Sequence, residues 1–156
     1  MNIEDIKMVG VAGTGSMGSG IIQVAAQAGF QVRAVDVSTA SWDRALKSIT
    51  TSLERMLAKE KITQEQMQAT LGRISFSTDI ATLAGVPFIF EAVFENAGVK
   101  KELFEKLDAI AGEDSVFASN TASIAITEMA SLVKRPAKFI GMHFFNPVPL
   151  MPLLEI

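Results

Sequence analysis

Short apolar runs alternate along this chain with longer stretches in which apolar side chains recur every three or four residues. The runs at 8–12, 31–36, 73–78, 86–92, 115–119 and 138–143 read as strands. The fourth is almost unbroken apolar sequence, as a parallel strand covered on both faces requires. Between the runs, the longer spacing predicts helices over 18–28, 40–59, 63–71 and 99–110. A short helical turn follows over 79–84, and 121–132 is helical in part before Pro136 ends that region. In 40–59, Trp42, Leu46, Ile49, Leu53, Met56 and Leu57 mark one amphipathic face. Ser38 and Thr39 can cap that helix. Thr63, with Gln66 three residues later, makes a capping box for the next one. The tail, 147–156, is proline-punctuated and mostly apolar.

Strands and helices that alternate in this way predict an α/β fold, a doubly wound parallel sheet. An extra helix pair lies between strands two and three, longer than a single crossover needs. Right-handed crossovers put ligands at the carboxyl ends of the strands. The residues there are Gly13 to Gly18, Asp36, the segments 92–95 and 119–121, and His143 to Asn146. The polar residues that stand out all fall on this one edge.

Gly13, Gly15 and Gly18 have the G-x-G-x-x-G spacing, between a strand and a helix. Gly13 permits the tight turn, Gly15 lets a pyrophosphate approach the backbone, and Gly18 lets the helix press close against the sheet. The helix start adds unpaired N–H groups and a partial positive charge. Asp36 ends the second strand 23 residues beyond Gly13, where a carboxylate accepts from the adenosine ribose. It repels a 2′-phosphate, and Val37 and Ser38 supply no arginine to receive one, so NAD is expected over NADP.

Composition narrows the rest. At 156 residues with 49% apolar content, the chain fits one soluble domain, 1–156. A net charge of −3 without a basic block argues against nucleic acid. There is no cysteine, and His143 is the only histidine, which rules out thiol chemistry and a multi-histidine metal centre. The start has no apolar leader and no run is long enough to span a membrane, so a reducing, cytoplasmic setting is the default expectation.

Candidate chemistry then sits on few residues. His143 can take a proton from an alcohol while hydride leaves the same carbon; the plainer reading is a histidine tied into a turn. Glu155, twelve residues on, either pairs with that imidazole and fixes its tautomer or is simply solvated near the chain end. Ser119 can bind a substrate oxygen, or Ser119, Asn120 and Thr121 form only a capping turn. Glu91 and Glu95 read first as rim carboxylates. Lys100 and Lys101 read first as a solvated helix face, and Lys59 and Lys61 as partners of a helix carboxyl end.

Five segments carry a resemblance: Gly13 to Gly20, Glu91 to Glu95, Lys101 to Phe104, Ala118 to Thr121, and Gly141-Met142-His143-Phe144-Phe145-Asn146-Pro147-Val148-Pro149. Together they closely resemble the NAD-binding domain of 3-hydroxyacyl-CoA dehydrogenases, nearest the 3-hydroxybutyryl-CoA branch. The resemblance implies a Rossmann domain and the interconversion of (3S)-3-hydroxyacyl-CoA and 3-ketoacyl-CoA with NAD. It implies His143 as acid/base, Glu155 as its partner and Ser119 at the substrate oxygen. Gly13, Gly15, Ser16, Met17, Gly18, Asp36, Ala92, Glu95, Lys100, Ser119 and Asn146 would line the cofactor site. Ser52 and Lys59 would hold coenzyme A, which accounts for the oversized crossover. Family members continue into an all-helical domain that completes the cleft and forms a homodimer. None of it is present in this sequence, so NAD binding is expected to survive and turnover to be weak or absent. Gly98 stands where relatives often carry a bulkier residue. Two alternatives remain at this stage: a stand-alone NAD-binding sensing or assembly module, and a dehydrogenase of free hydroxy acids.

Overall fold

The alternating pattern resolves, in a computed structural model describing residues 2–156, into one six-stranded parallel sheet with helices on both faces. The strands are β1 (Met8–Ala12), β2 (Gln31–Val35), β3 (Ile74–Ser77), β4 (Phe88–Glu91), β5 (Val116–Ser119) and β6 (Phe139–Gly141). Their spatial order is β3-β2-β1-β4-β5-β6, so the winding reverses between β1 and β4. Such a reversal opens a crevice at the carboxyl edge. The helices are α1 (Ser16–Gln27), α2 (Thr39–Ala58), α3 (Gln64–Gly72), α4 (Ala97–Ile110) and α5 (Ile126–Ala130). Among the described residues, no helix is long and apolar enough to cross a membrane.

Two apolar layers follow from the pleat, because alternate strand residues face opposite sides. Val9 and Val11 pack with Ile21, Ile22, Ile49, Leu53 and Met67 under α1, α2 and α3. Ile89 and Phe117 pack with Phe104, Leu107 and Met129 under α4 and α5. Burying each large side chain contributes about 2 kcal/mol, and the extra pair α2–α3 adds its own share through Ile49, Leu53 and Met67. Trp42 stacks on Phe76 of β3, with ring centroids 4.8 Å apart. The capping expectations hold: Ser41 N–H donates to the Ser38 side chain, and Thr63 and Gln66 satisfy each other's backbone N–H.

Five expectations need correction. α4 begins at Ala97, two residues before the expected 99, because Asn96 serves as its cap, its side chain accepting from Val99 N–H. α1 begins at Ser16, two residues earlier than the spacing indicated, because Gly15 serves as its cap position. Leu46 is 38% exposed: Ala45, Ile49 and Leu53 form the buried stripe and turn it outward. The partial helix over 121–132 shrinks to α5, since Ala122 and Ser123 direct their N–H groups to the Glu95 carboxylate instead of into a helix. The sixth strand stops at Gly141. His143 lies instead on β7 (His143–Phe144), which pairs antiparallel with β8 (Leu154–Glu155) in the tail. The cause is local: Met142 N–H still bonds Ser119 O, but Phe144 N–H is taken by the Asn120 side chain, and Leu150 N–H closes a turn onto Pro147 O.

Candidate functional site

A crevice of about 1020 Å³ opens at the carboxyl edge, lined from Gly13, Gly15, Ser16, Met17 and Asp36 at one side to Glu95, Asn120, His143 and Asn146 at the other. The three loop glycines have distinct surroundings. Gly13 has φ +97°, and a Cβ there would lie 2.5 Å from Ala92 O. A Cβ on Gly18 would strike the Gly13 carbonyl, so α1 presses on the turn itself as well as toward the sheet. Around Gly15 there is open space on the Cβ side. The first-turn N–H groups of α1 therefore meet the crevice beside an unobstructed backbone.

Asp36 closes this loop from below. Its Oδ2 accepts from both the N–H and the hydroxyl of Thr14, each at 2.8 Å, and its Oδ1 accepts from Ser38 N–H at 3.1 Å. A carboxylate has about four acceptor positions, so one on Oδ1 remains for a ligand.

At the other side, the floor is ionic. Glu91 is fully buried, with Oε1 accepting from Lys100 Nζ at 2.7 Å and Val93 N–H at 2.8 Å. Its Oε2 accepts from the Ser119 hydroxyl at 2.5 Å. Lys100, 1% exposed, also reaches Glu95 Oε2 at 3.0 Å. Glu95 accepts from the Thr121 and Ser123 hydroxyls and from two backbone N–H groups. Burial pushes the Glu95 carboxyl up, but hydrogen bonds from Thr121, Lys100 and Ser123 and the Lys100 charge outweigh it and hold the pKa at about 2.

His143 and Glu155 meet across β7–β8, with Nδ1 3.1 Å from Oε2. A carboxylate oxygen accepts, so Nδ1 is the donor in this contact, and in the neutral imidazole Nε2 is then the acceptor. The His143 ring leans on Phe145, with centroids 4.6 Å apart.

A second cleft of about 640 Å³ runs along α2, lined by Arg44, Lys47, Arg55, Lys59, Lys61 and Ser52. The Ser52 hydroxyl accepts from Gln23 Nε2 at 2.9 Å. Ser16 and Asn146 line both clefts, so the two adjoin.

The structure thus gathers Gly13, Gly15, Ser16, Met17, Asp36, Ala92, Glu95, His143 and Asn146 around one crevice. Gly18 supports the loop from within. Ser52 and Lys59 fall in the second cleft. Ser119 and Lys100 lie beneath the crevice floor, both essentially without exposed surface. The rim reading of Glu91 and the solvated-face reading of Lys100 are corrected by that burial. Both carried a usable signal: Glu91 is two residues from the inward Ile89, and Lys100 shares the helical stripe of Phe104 and Leu107. Arg44, Lys47 and Arg55 on α2 were missed; with Thr51 between them and Lys59 at the cap, they recur at steps of three and four.

Residues 8–156 match the family described as "3-hydroxyacyl-CoA dehydrogenase, NAD binding domain". The probable 3-hydroxybutyryl-CoA dehydrogenase of Bacillus subtilis (strain 168) is 43% identical over 97% of this chain and 53% of its own length. The mitochondrial hydroxyacyl-coenzyme A dehydrogenase of Rattus norvegicus is 44% identical over 97% of this chain and 50% of its own. The crystal structure of (S)-3-hydroxybutyryl-CoA dehydrogenase PaaH1 from Ralstonia eutropha superposes with a TM-score of 0.93 at 41% identity, covering 96% of this chain and 53% of that one. The chain spans about half the length of the curated relatives it matches. With a β1–β4 switch point, a glycine loop built for a dinucleotide and this degree of likeness, the chain belongs to the 3-hydroxyacyl-CoA dehydrogenase family, as its NAD-binding domain.

Proposed function

We propose that this chain is the cofactor half of an enzyme that interconverts (3S)-3-hydroxyacyl-CoA, of the 3-hydroxybutyryl class, and 3-ketoacyl-CoA. The residues fit the cofactor: open space beside Gly15, the amino end of α1, and one free acceptor position on Asp36. NAD, when bound, supplies the hydride acceptor. His143 Nε2 takes the proton of the substrate's 3-hydroxyl as the carbon is oxidised and returns it in reduction. Glu155 holds the imidazole in the required tautomer and stabilises the imidazolium. Ser119 belongs below the reacting oxygen, its hydroxyl held by Glu91. The basic cleft along α2 receives the phosphates of coenzyme A, with Lys59 and Ser52 among its contacts.

The observation that carries this reading is the His143–Glu155 pair at the rim of the nucleotide crevice. On the same reading, the complete protein has a helical second domain, forms a homodimer through it and works in the cytoplasm. The support for the second domain and its interface is the greater length of the relatives and the exposure of Leu150, Leu153 and Ile156.

The test is His143→Gln in a protein extended to the relatives' length, assayed by NADH oxidation with acetoacetyl-CoA. Turnover should fall by about 10² to 10⁴, with NAD binding unchanged. Retained turnover would end the acid/base assignment. The 156-residue chain itself should bind NAD with little or no turnover.

A further inference from the structure

Resting on the reading of His143 as acid/base, we infer that Asn120 is a positioning residue for the reaction. Its side-chain carbonyl fixes the backbone beside His143, and thereby the place of the imidazole at the crevice.

β6 ends at Gly141, and the chain that continues it must be steered to bring His143 to the crevice. Two bonds do the steering, one on each side of His143. Met142 N–H donates to Ser119 O at 2.9 Å, and Phe144 N–H donates to Asn120 Oδ1 at 2.8 Å. The first continues the β5–β6 ladder, in which Ser119 faces Gly141. In a regular parallel ladder the acceptor two residues further on, Thr121 O, would take the second. The chain has left β5 by then. Thr121 N–H donates to the Ser119 hydroxyl at 3.3 Å, and the Thr121 hydroxyl donates to Glu95 and accepts from Ile124 N–H. The Asn120 side chain supplies the acceptor that the strand no longer offers.

Asn120 is itself anchored. Its N–H donates to Glu91 O at 2.9 Å, at the end of β4. A backbone N–H only donates, so the oxygen of the Asn120 amide, and not Nδ2, faces Phe144. The bond is thus a strap from the carboxyl edge of the sheet to β7. Successive side chains of β7 point to opposite sides. Phe144 packs edge-on against Phe90, with centroids 6.0 Å apart, while His143 meets Glu155. Apolar contact is non-directional and holds the ribbon down without aiming it. The directional bond to Asn120 orients the peptide next to His143.

Two readouts test this. His143 is the only histidine, so the imidazole nitrogen NMR spectrum of this chain reports its tautomer directly. Asn120→Ala should move that spectrum from the Nδ1–H form toward a mixture of tautomers. Asn120→Asp, which keeps an acceptor for Phe144 N–H, should return it to the parental form. In a protein extended to the relatives' length, Asn120→Ala should lower kcat for acetoacetyl-CoA reduction by roughly 10- to 100-fold, the scale on which small misplacements act. KM and NADH affinity should stay unchanged. A parental spectrum or an unchanged kcat in Asn120→Ala overturns the inference, as does an Asn120→Asp spectrum that stays shifted. A fall in kcat matched by an equal loss of NADH affinity does the same. If Asn120→Ala does not fold, Asn120→Leu, of similar size and without an acceptor, decides. If His143→Gln also retains turnover, the acid/base reading has failed and the spectra alone judge the placement, so the two failures are told apart.

Discussion

The backbone N–H and the hydroxyl of Thr14 both end on one oxygen of Asp36, each at 2.8 Å. The carboxylate is thus a support for the glycine loop before it is a ribose ligand. Thr14 is 2% exposed, so its donors have no water to turn to. Asp36→Ala should cost about 1–3 kcal/mol of stability and abolish measurable NAD binding. Asp36→Asn keeps an acceptor for Thr14 and should stay near parental stability while narrowing the gap between NAD and NADP. Urea unfolding and titration with both dinucleotides check this; an alanine variant as stable as the parent contradicts it.

Two glycines only three residues apart should respond in opposite ways. A methyl at position 18 meets the Gly13 carbonyl, which cannot move without opening the turn. Gly18→Ala should lower the melting temperature despite alanine's better helix propensity, worth about 1 kcal/mol. Gly15 has a negative φ and free space around it. Gly15→Ala should fold normally and lose NAD affinity, because the methyl occupies the approach of the pyrophosphate. Normal NAD binding by Gly15→Ala would show that the phosphates lie elsewhere.

Acid stability should carry the signature of Glu95. Its folded pKa of about 2 lies below the ordinary 4.5. The unfolded chain therefore binds the proton first as pH falls. The stabilisation is complete above about pH 4.5 and drains away toward about pH 2. Glu95→Gln should flatten the dependence of the urea midpoint within that window. An unchanged slope would mean that the Thr121 and Ser123 contacts do not persist in solution.

The cleft along α2 offers a test independent of the nucleotide. Arg55 and Lys59 are exposed, so removing either charge should weaken coenzyme A binding only about two- to fivefold, as solvated ion pairs do. The effect should shrink with added salt, and NAD affinity should not move. Calorimetry with coenzyme A at low and high ionic strength reads both. Salt-independent binding would place the phosphates outside this cleft.

Much of the fold was legible because its signals are local. The apolar runs, the glycine spacing and the Thr63–Gln66 box each depend on neighbours a few residues away, and right-handed crossovers place the ligand edge at the carboxyl ends of the strands; the order of the six strands is read from the structure alone. The site was legible only in part. Glu91 and Lys100 look like surface residues by type, and their burial depends on an ion pair between different elements. The pairing of His143 with Glu155 needs a turn at 147–150 that reverses the tail, and residue type at those positions does not announce a two-residue ribbon. Leu46 shows the reverse case: its spacing fits the apolar face of α2, yet the helix buries Ala45 instead. Local periodicity finds elements; cross-chain polar bonds, which hold this site together, leave little trace in it.

Val148 occupies the place where a side chain at position 20 would project, with Cβ to Val148 Cβ separation of only 2.6 Å for a substituted residue. The peg and socket fasten the segment following His143 to the same helix that greets the phosphates. The glycine loop and the strand that carries the imidazole thereby lean on one shared support.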